Sequence, residues 1–99
     1  MSRRRVVVTG LGAVTPIGLG AEGLWCGLLA RKSAVRTATR FDPSPWRSHN
    51  AAQADEFVAS DHLDARRTKR LDRFGQFSVV AAQMAVADAA LDLAHEDRE

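Results

Sequence analysis

The sequence predicts an α/β fold of which this chain forms only the amino-terminal part. Residues 6–8 are three consecutive valines, a run typical of a short strand buried on both faces. Residues 63–93 show a long helical pattern that is largely apolar in its second half. No later stretch equals the valine strand, although a buried strand needs neighbours for its backbone groups. With 99 residues, the chain has the size of one small domain or of part of a larger one.

A glycine-rich turn and a helix follow the predicted strand. Gly10 and Gly12 allow a sharp backbone bend, and Pro16 prevents either a strand or a helix from continuing. Residues 22–30 then show the i, i+4 spacing of an amphipathic helix. Its predicted buried face consists of Leu24, Trp25, Leu28 and Leu29. Strand, turn and helix in this order are the beginning of a β-α unit.

The middle of the chain shows little regular pattern. Residues 33–40 are short and mixed, and residues 49–55 are too polar and too rich in alanine to predict a strand. Between them, two prolines in residues 41–46 exclude a helix and predict a loop. Phe41 and Trp46 are expected to anchor this loop.

The last third of the chain is predicted to be helical. Ser60 or Asp61 is the expected capping residue, and the pattern continues to residue 93. The first part is charged, whereas the part from Phe74 onward is apolar on nearly every side. Such a helix is expected to be buried on nearly every side.

Composition and charge exclude several classes of function. A formal net charge of +2 is too small to indicate nucleic-acid binding, and no stretch approaches the ~18 apolar residues of a membrane span. Cys26 is the single cysteine, which excludes an internal disulfide and favours a reducing compartment. The arginines at 3–5 before the valines faintly resemble a twin-arginine export signal, but Thr9 and Pro16 interrupt the apolar run. We therefore expect a cytoplasmic protein with neither a membrane nor a nucleic-acid partner.

Two motifs invite a chemical interpretation that the sequence does not favour. Gly10 and Gly12 resemble part of a dinucleotide-binding fingerprint, but Thr15 replaces the third glycine and Pro16 delays the helix. A structural bend is the favoured interpretation, and no cofactor is expected. Cys26 lies mid-helix with no histidine nearby, so it is predicted to be a buried packing residue rather than a nucleophile. The three histidines are His49, His62 and His95. They lack metal-ligand spacing, so no metal site is expected.

A basic cluster on the predicted helix is the charged feature that most suggests a partner. It comprises Arg66, Arg67, Lys69, Arg70 and Arg73. Arg66, Lys69 and Arg70 are spaced i, i+3 and i+4, which places them on one helix face. One interpretation is a solvated face balanced by nearby carboxylates, namely Asp61, Asp64 and Asp72. The other is a surface that docks an acidic partner.

Several stretches, taken in their order and spacing, resemble a known family. They are Val6-Val7-Val8-Thr9-Gly10-Leu11-Gly12, Thr15-Pro16-Ile17-Gly18, Leu24-Trp25 with Leu28-Leu29, Arg40-Phe41-Asp42, and Arg70-Leu71-Asp72-Arg73-Phe74 with Gln76-Phe77 and Ala81-Ala82. This pattern is similar to the amino-terminal end of a β-ketoacyl-acyl carrier protein synthase, a condensing enzyme of fatty acid or polyketide synthesis. The resemblance runs from about residue 4 to residue 93.

The chain departs from the family pattern at three places. Residues 51–54 read Ala-Ala-Gln-Ala where the family usually has Ala-Gly and an aliphatic strand residue. Ala90 stands where a later helix of the family usually ends in glycine. The family's nucleophilic cysteine and two catalytic histidines have no counterpart within the chain, and Cys26 does not align with that cysteine.

The resemblance implies the amino-terminal part of a thiolase-like α-β-α-β-α fold, with residues 1–99 as a fragment of a synthase amino-terminal domain. It also implies a parent activity, the decarboxylative Claisen condensation of an acyl thioester with malonyl-carrier protein. We expect no catalytic residue in this chain and no activity from it alone. The implied partners are acyl carrier protein and either the remainder of the synthase or a homologous subunit, because the family is usually dimeric. The resemblance places Arg66, Lys69 and Arg70 on the side that receives the carrier protein.

Two other hypotheses remain open. The chain could be a non-catalytic subunit that binds carrier protein, of the kind called a chain-length factor. It could also be a truncated product without function. Downstream coding sequence with a cysteine motif would favour the enzyme, and a genuine stop would favour the others.

Overall fold

The computed structural model describes residues 2–97, which form short strands and helices. The elements are β1 (Val14–Thr15), β2 (Gly18–Leu19), α1 (Gly20–Leu29), β3 (Val35–Thr37), β4 (Asn50–Ala52), α2 (Ala65–Arg70) and α3 (Arg73–Asp88), with a 3₁₀ turn at Ala59–Asp61. Strand β1 pairs with β2 and β3 pairs with β4, both antiparallel. The mixture of strands and helices agrees with the predicted class.

The predicted strand at residues 6–8 does not form. Val6, Val7 and Val8 are 94%, 70% and 81% exposed, and none of them pairs with a strand of residues 2–97. A strand requires a neighbour for its backbone groups, whereas β1 to β4 are two or three residues long and already paired with one another. The amino-terminal segment joins the fold at Leu11, whose backbone N–H donates to Asp88 Oδ2 at the end of α3 (2.9 Å).

Helix α1 forms where predicted, but the leucine face is not the buried one. Trp25, Leu28 and Leu29 are all more than half exposed. The buried residue of α1 is Gly27, and a Cβ at this position would lie 2.5 Å from the carbonyl oxygen of Ile17. The β1–β2 turn therefore packs on the flat glycine side of the helix, and no element of residues 2–97 buries the leucine side.

Strands β3 and β4 lie in the two stretches where the sequence predicted no strand. Val35 is opposite Ala52 and Thr37 is opposite Asn50. The loop between them has the predicted aromatic anchor, because the rings of Phe41 and Trp46 meet edge to face with centroids 5.5 Å apart.

Side chains at the end of β4 hold this strand pair together. The Gln53 carbonyl accepts from the backbone N–H groups of Thr39 (2.9 Å) and Arg40 (3.2 Å). Asp55 forms ion pairs with Arg36 and Arg40. These contacts join residues 13 to 19 positions apart, so local sequence pattern does not show them.

The predicted long helix is two helices. Helix α2 ends at Arg70, and Asp72 is the N-cap of α3. The predicted caps Ser60 and Asp61 lie in the 3₁₀ turn instead. Helix α3 is buried along one side only, since among its residues Val80 is the fully buried one and Phe74 is 74% exposed.

The core lies between the 3₁₀ turn and α3. Its buried residues are Phe57, Ala59, Leu63 and Val80, and partly buried side chains that include Phe77 and Met84 pack against them. The rings of Phe57 and Phe77 meet edge to face at 5.0 Å. Away from this cluster the chain is open: its radius of gyration is 17.3 Å, against about 13 Å for a compact domain of this length.

Candidate functional site

Helix α2 carries the three residues that the sequence singles out, and its amino-terminal end is fixed by packing and by two hydrogen bonds. Leu63, just before the helix, is buried in the core cluster. Asp64 is the N-cap, and its Oδ1 accepts from the backbone N–H of Arg67 (2.8 Å). The hydroxyl of Thr68 donates to the Asp64 carbonyl (2.8 Å) and closes the first turn.

The carboxyl-terminal end of α2 is tied to α3. The side-chain amide of Gln76, in the first turns of α3, donates to the backbone carbonyls of Thr68 (3.0 Å) and Leu71 (3.2 Å). The last carbonyls of a helix have no partner within it, so this amide satisfies acceptors that would otherwise need water. Sequence reasoning missed Gln76 because the contact crosses between two helices.

Arg66, Lys69 and Arg70 are all exposed on α2, at the predicted spacing of one helix face. Within residues 2–97, none of the three forms an ion pair. Of the carboxylates expected to balance them, Asp64 is the N-cap of α2, and neither Asp61 nor Asp72 forms an ion pair within residues 2–97. We call these three residues the basic face. The structure leaves its positive charge directed to solvent.

The other two arginines of the cluster do not belong to this face. Arg67 lines an open apolar groove along α3, together with residues that include Val79 and Val86. Arg73 points into the core, where its guanidinium donates to the Ala54 carbonyl (2.7 Å) and lies 5.0 Å from the centre of the Phe77 ring. Burial, with a smaller contribution from the charge of Arg40, lowers the pKa of Arg73.

The cysteine and the histidines form no reactive constellation in the described part of the chain. Cys26 is exposed, which corrects the prediction of a buried packing residue. It lies on a helix surface that residues 2–97 do not cover. His62 stacks on Phe57 with ring centroids 5.6 Å apart, and His95 contacts Asp92. Among residues 2–97, no group of three or more His, Cys, Asp or Glu side chains could hold a metal ion.

The glycine motif has a packing role. Gly10 and Gly12 lie directly against the backbone of α3, where a Cβ on Gly12 would overlap the carbonyl oxygen of Ala81. A nucleotide phosphate cannot occupy a space already filled by a helix backbone. The predicted sharp bend does not form, since residues 10–12 show neither a turn nor a bend; the two glycines instead allow the close approach to α3. No helix between residues 2 and 97 has the length and apolar character needed to cross a bilayer.

Comparison with known proteins gives consistent results. Residues 3–99 match the family model described as "Beta-ketoacyl synthase, N-terminal domain". The chain is 40% identical over 90 residues to 3-oxoacyl-[acyl-carrier-protein] synthase 2 of Staphylococcus aureus (strain COL), covering 91% of this chain and 22% of the relative. It is 42% identical over 91 residues to the protein of the same name in Synechocystis sp., covering 92% of this chain and 22% of the relative.

A solved structure, the ishigamide ketosynthase/chain length factor, is similar as well. The similarity has a TM-score of 0.77 at 38% sequence identity and covers 92% of this chain and 23% of the other. The chain thus spans about a fifth of the length of the relatives that it matches.

Proposed function

The chain belongs to the β-ketoacyl synthase family, and from this premise we propose that residues 1–99 form the amino-terminal part of a synthase's amino-terminal domain. The predicted α/β class, as found in the amino-terminal part of a thiolase-like ketosynthase, is confirmed by the structural match. Two features support the proposal that the remainder of the synthase packs against residues 1–99. They are the exposed valines at 6–8 and the radius of gyration of 17.3 Å, larger than that of a compact domain.

The proposed parent reaction is the decarboxylative Claisen condensation of an acyl thioester with malonyl-carrier protein. In this chemistry a cysteine holds the acyl group as a thioester, and carbon dioxide leaves the malonyl group. The resulting carbanion attacks the thioester carbonyl, the carbon–sulfur bond breaks, and the cysteine leaves as the thiolate. Covalent catalysis of this kind replaces one difficult step by two easier ones. We assign none of these steps to a residue of this chain, and we propose that the chain alone is inactive.

The proposed role of this chain is to dock acyl carrier protein on the basic face. The observation that carries this role is that Arg66, Lys69 and Arg70 are exposed and form no ion pair within residues 2–97. Unpaired basic groups on one face steer an acidic partner and then contact it. The names of the two sequence relatives include the acyl carrier protein as the carrier of their 3-oxoacyl group, which supports a partner of this type.

A chain-length-factor-like subunit is the second candidate. The similar solved structure is called a ketosynthase/chain length factor, a name that covers both kinds of subunit. Docking on the basic face is compatible with either candidate. Acyl transfer to a cysteine of the whole protein would distinguish the synthase from the factor.

A triple charge reversal tests the docking role. We expect the variant Arg66→Glu/Lys69→Glu/Arg70→Glu to bind a purified acyl carrier protein at least about tenfold more weakly at low salt. The loss should shrink near 1 M salt, where the Debye length falls to about 3 Å. The measurement is a binding titration at both ionic strengths, with unfolding followed in parallel. Exposed ion pairs contribute only about 0–1 kcal/mol to folding, so stability should change little.

A matched control exists within the chain. Arg3, Arg4 and Arg5 are exposed, and their reversal to glutamate changes the net charge by the same amount at a different place. This control should bind nearly as well as the parent chain. Equal losses of affinity in both triple variants would mean that net charge alone matters. An unchanged affinity of the α2 variant would mean that the basic face is an ordinary solvated surface.

A further inference from the structure

The basic face lies on a helix that is too short to be stable alone. Helix α2 has six residues, from Ala65 to Arg70. Isolated helices of fewer than about 12 residues are marginal in water, because nucleation is costly and few hydrogen bonds follow it. None of the residues of α2 is buried. Contacts outside the helix must therefore hold it in shape.

The two ends of α2 are held by different means. The amino-terminal end has the Asp64 cap and the buried Leu63 beside it. The carboxyl-terminal end has the amide of Gln76, whose single nitrogen donates to both Thr68 O and Leu71 O. These carbonyls lie on either side of Lys69 and Arg70, so the amide bridges the backbone that carries two residues of the basic face.

We propose that Gln76 is a positioning residue for partner docking. It binds no partner itself; it holds the last turn of α2 so that the three basic side chains are presented together. This inference rests on the proposed docking function. Gln76 suits the role because it belongs to α3, the helix that supplies Val80 to the core, and because its own backbone N–H is bonded to the Asp72 carbonyl (2.9 Å). The amide thus connects the exposed basic helix to the best-packed part of the chain.

The alternative is that Gln76 only adds to overall stability. Its contacts argue for a local effect, because both acceptors belong to the end of α2 and Gln76 is not part of the core cluster. A local effect predicts that losing the amide frees the last turn of α2 while α3 stays intact. Two backbone amides report these regions separately. Leu71 N–H bonds to Arg67 O (3.0 Å) at the end of α2, and Ala89 N–H bonds to Ala85 O (3.0 Å) at the end of α3.

The experiment compares Gln76→Leu with two further variants by amide hydrogen exchange and by carrier-protein titration. Leucine keeps the size of the side chain but cannot donate, so we expect the Leu71 amide to exchange about tenfold faster and the Ala89 amide to be unchanged. Gln76→Lys restores a donor near the carboxyl terminus of α2, so the Leu71 amide should again be protected against exchange. Gln83→Leu changes an exposed glutamine two turns further along α3 and should leave both amides unchanged.

In the titration, Gln76→Leu should weaken binding of a purified acyl carrier protein several-fold and flatten its salt dependence, because the basic side chains no longer act together. An unchanged Leu71 amide would overturn the inference. So would a faster Leu71 amide with unchanged binding, provided that the triple reversal on α2 loses binding. If the triple reversal itself binds normally, the docking function fails, and with it the docking role of Gln76. The Leu71 exchange then still decides whether Gln76 holds the helix.

Discussion

Residues 57–80 and residues 6–28 both contain large apolar side chains, but only the first segment has some that are fully buried. Phe57 and Val80 are 2% and 1% exposed. Val6 and Trp25 are 94% and 61% exposed. The difference does not follow from composition, because both segments contain valines, leucines and an aromatic residue. Burial depends on which element lies opposite. In the second segment Val14 and Leu19 are partly buried against the core cluster, whereas the valine run and the outer side of α1 are left exposed.

The two segments also differ in what holds their backbone. The 3₁₀ turn and α2 are linked to α3 by packing and by the Gln76 amide. The amino-terminal segment contacts α3 and the core cluster through Gly10 and Gly12, through the partly buried Val14 and Leu19, and through one hydrogen bond from Leu11. We therefore expect substitutions in the two segments to have very different effects on stability.

The largest difference is expected between Phe57→Ala and Trp25→Ala. Removing Phe57 leaves a cavity in the core and should lower the free energy of unfolding by about 3–5 kcal/mol. Removing the exposed Trp25 should cost about 1 kcal/mol or less. Denaturant unfolding, followed by far-UV circular dichroism, measures the free energy of unfolding of both variants. Equal losses would show that the leucine side of α1 is covered in solution.

A smaller difference is expected between two glycine substitutions. A Cβ on Gly12 would overlap Ala81 O, so Gly12→Ala should cost about 1–3 kcal/mol by forcing the amino-terminal segment away from α3. Gly75→Ala, inside α3, is the control, because a Cβ there would meet only the Leu71 side chain, with Cδ2 at an ordinary 3.4 Å. Alanine should stabilise the helix there by up to about 1 kcal/mol. A neutral Gly12→Ala would mean that the segment does not pack on α3.

The smallest effect on stability is expected at the exposed valines, where the effect on association should be clear. Unpaired, exposed β-branched runs promote pairing between chains. Val7→Lys should change the free energy of unfolding by no more than about 0.5 kcal/mol but should lower the average mass in a sedimentation series at rising concentration. Val35→Lys alters an exposed valine outside the run and should leave the average mass unchanged. A parent chain that is a monomer throughout would contradict this prediction.

The candidate site was predictable in its residues but not in its support. The spacing of Arg66, Lys69 and Arg70 placed them on one face, because the helical period is a local property of the backbone. Gln76 was not predictable, since its amide reaches Thr68, eight residues away, only because α2 ends at Arg70 and a second helix begins at Arg73. The use of these residues in docking stays a prediction.

The sequence by itself determined what depends on neighbouring residues: the helix α1, the aromatic loop anchor, the helical character of the last third, and the family pattern. The tertiary structure alone decided the rest. It paired β3 with β4 through Gln53 and Asp55, buried Gly27 rather than the leucines of α1, and left the valine run unpaired. The physical reason is that hydrogen-bond partners and buried faces are chosen between distant segments, so an apolar pattern shows which residues would be stabilised by burial but not which element covers them.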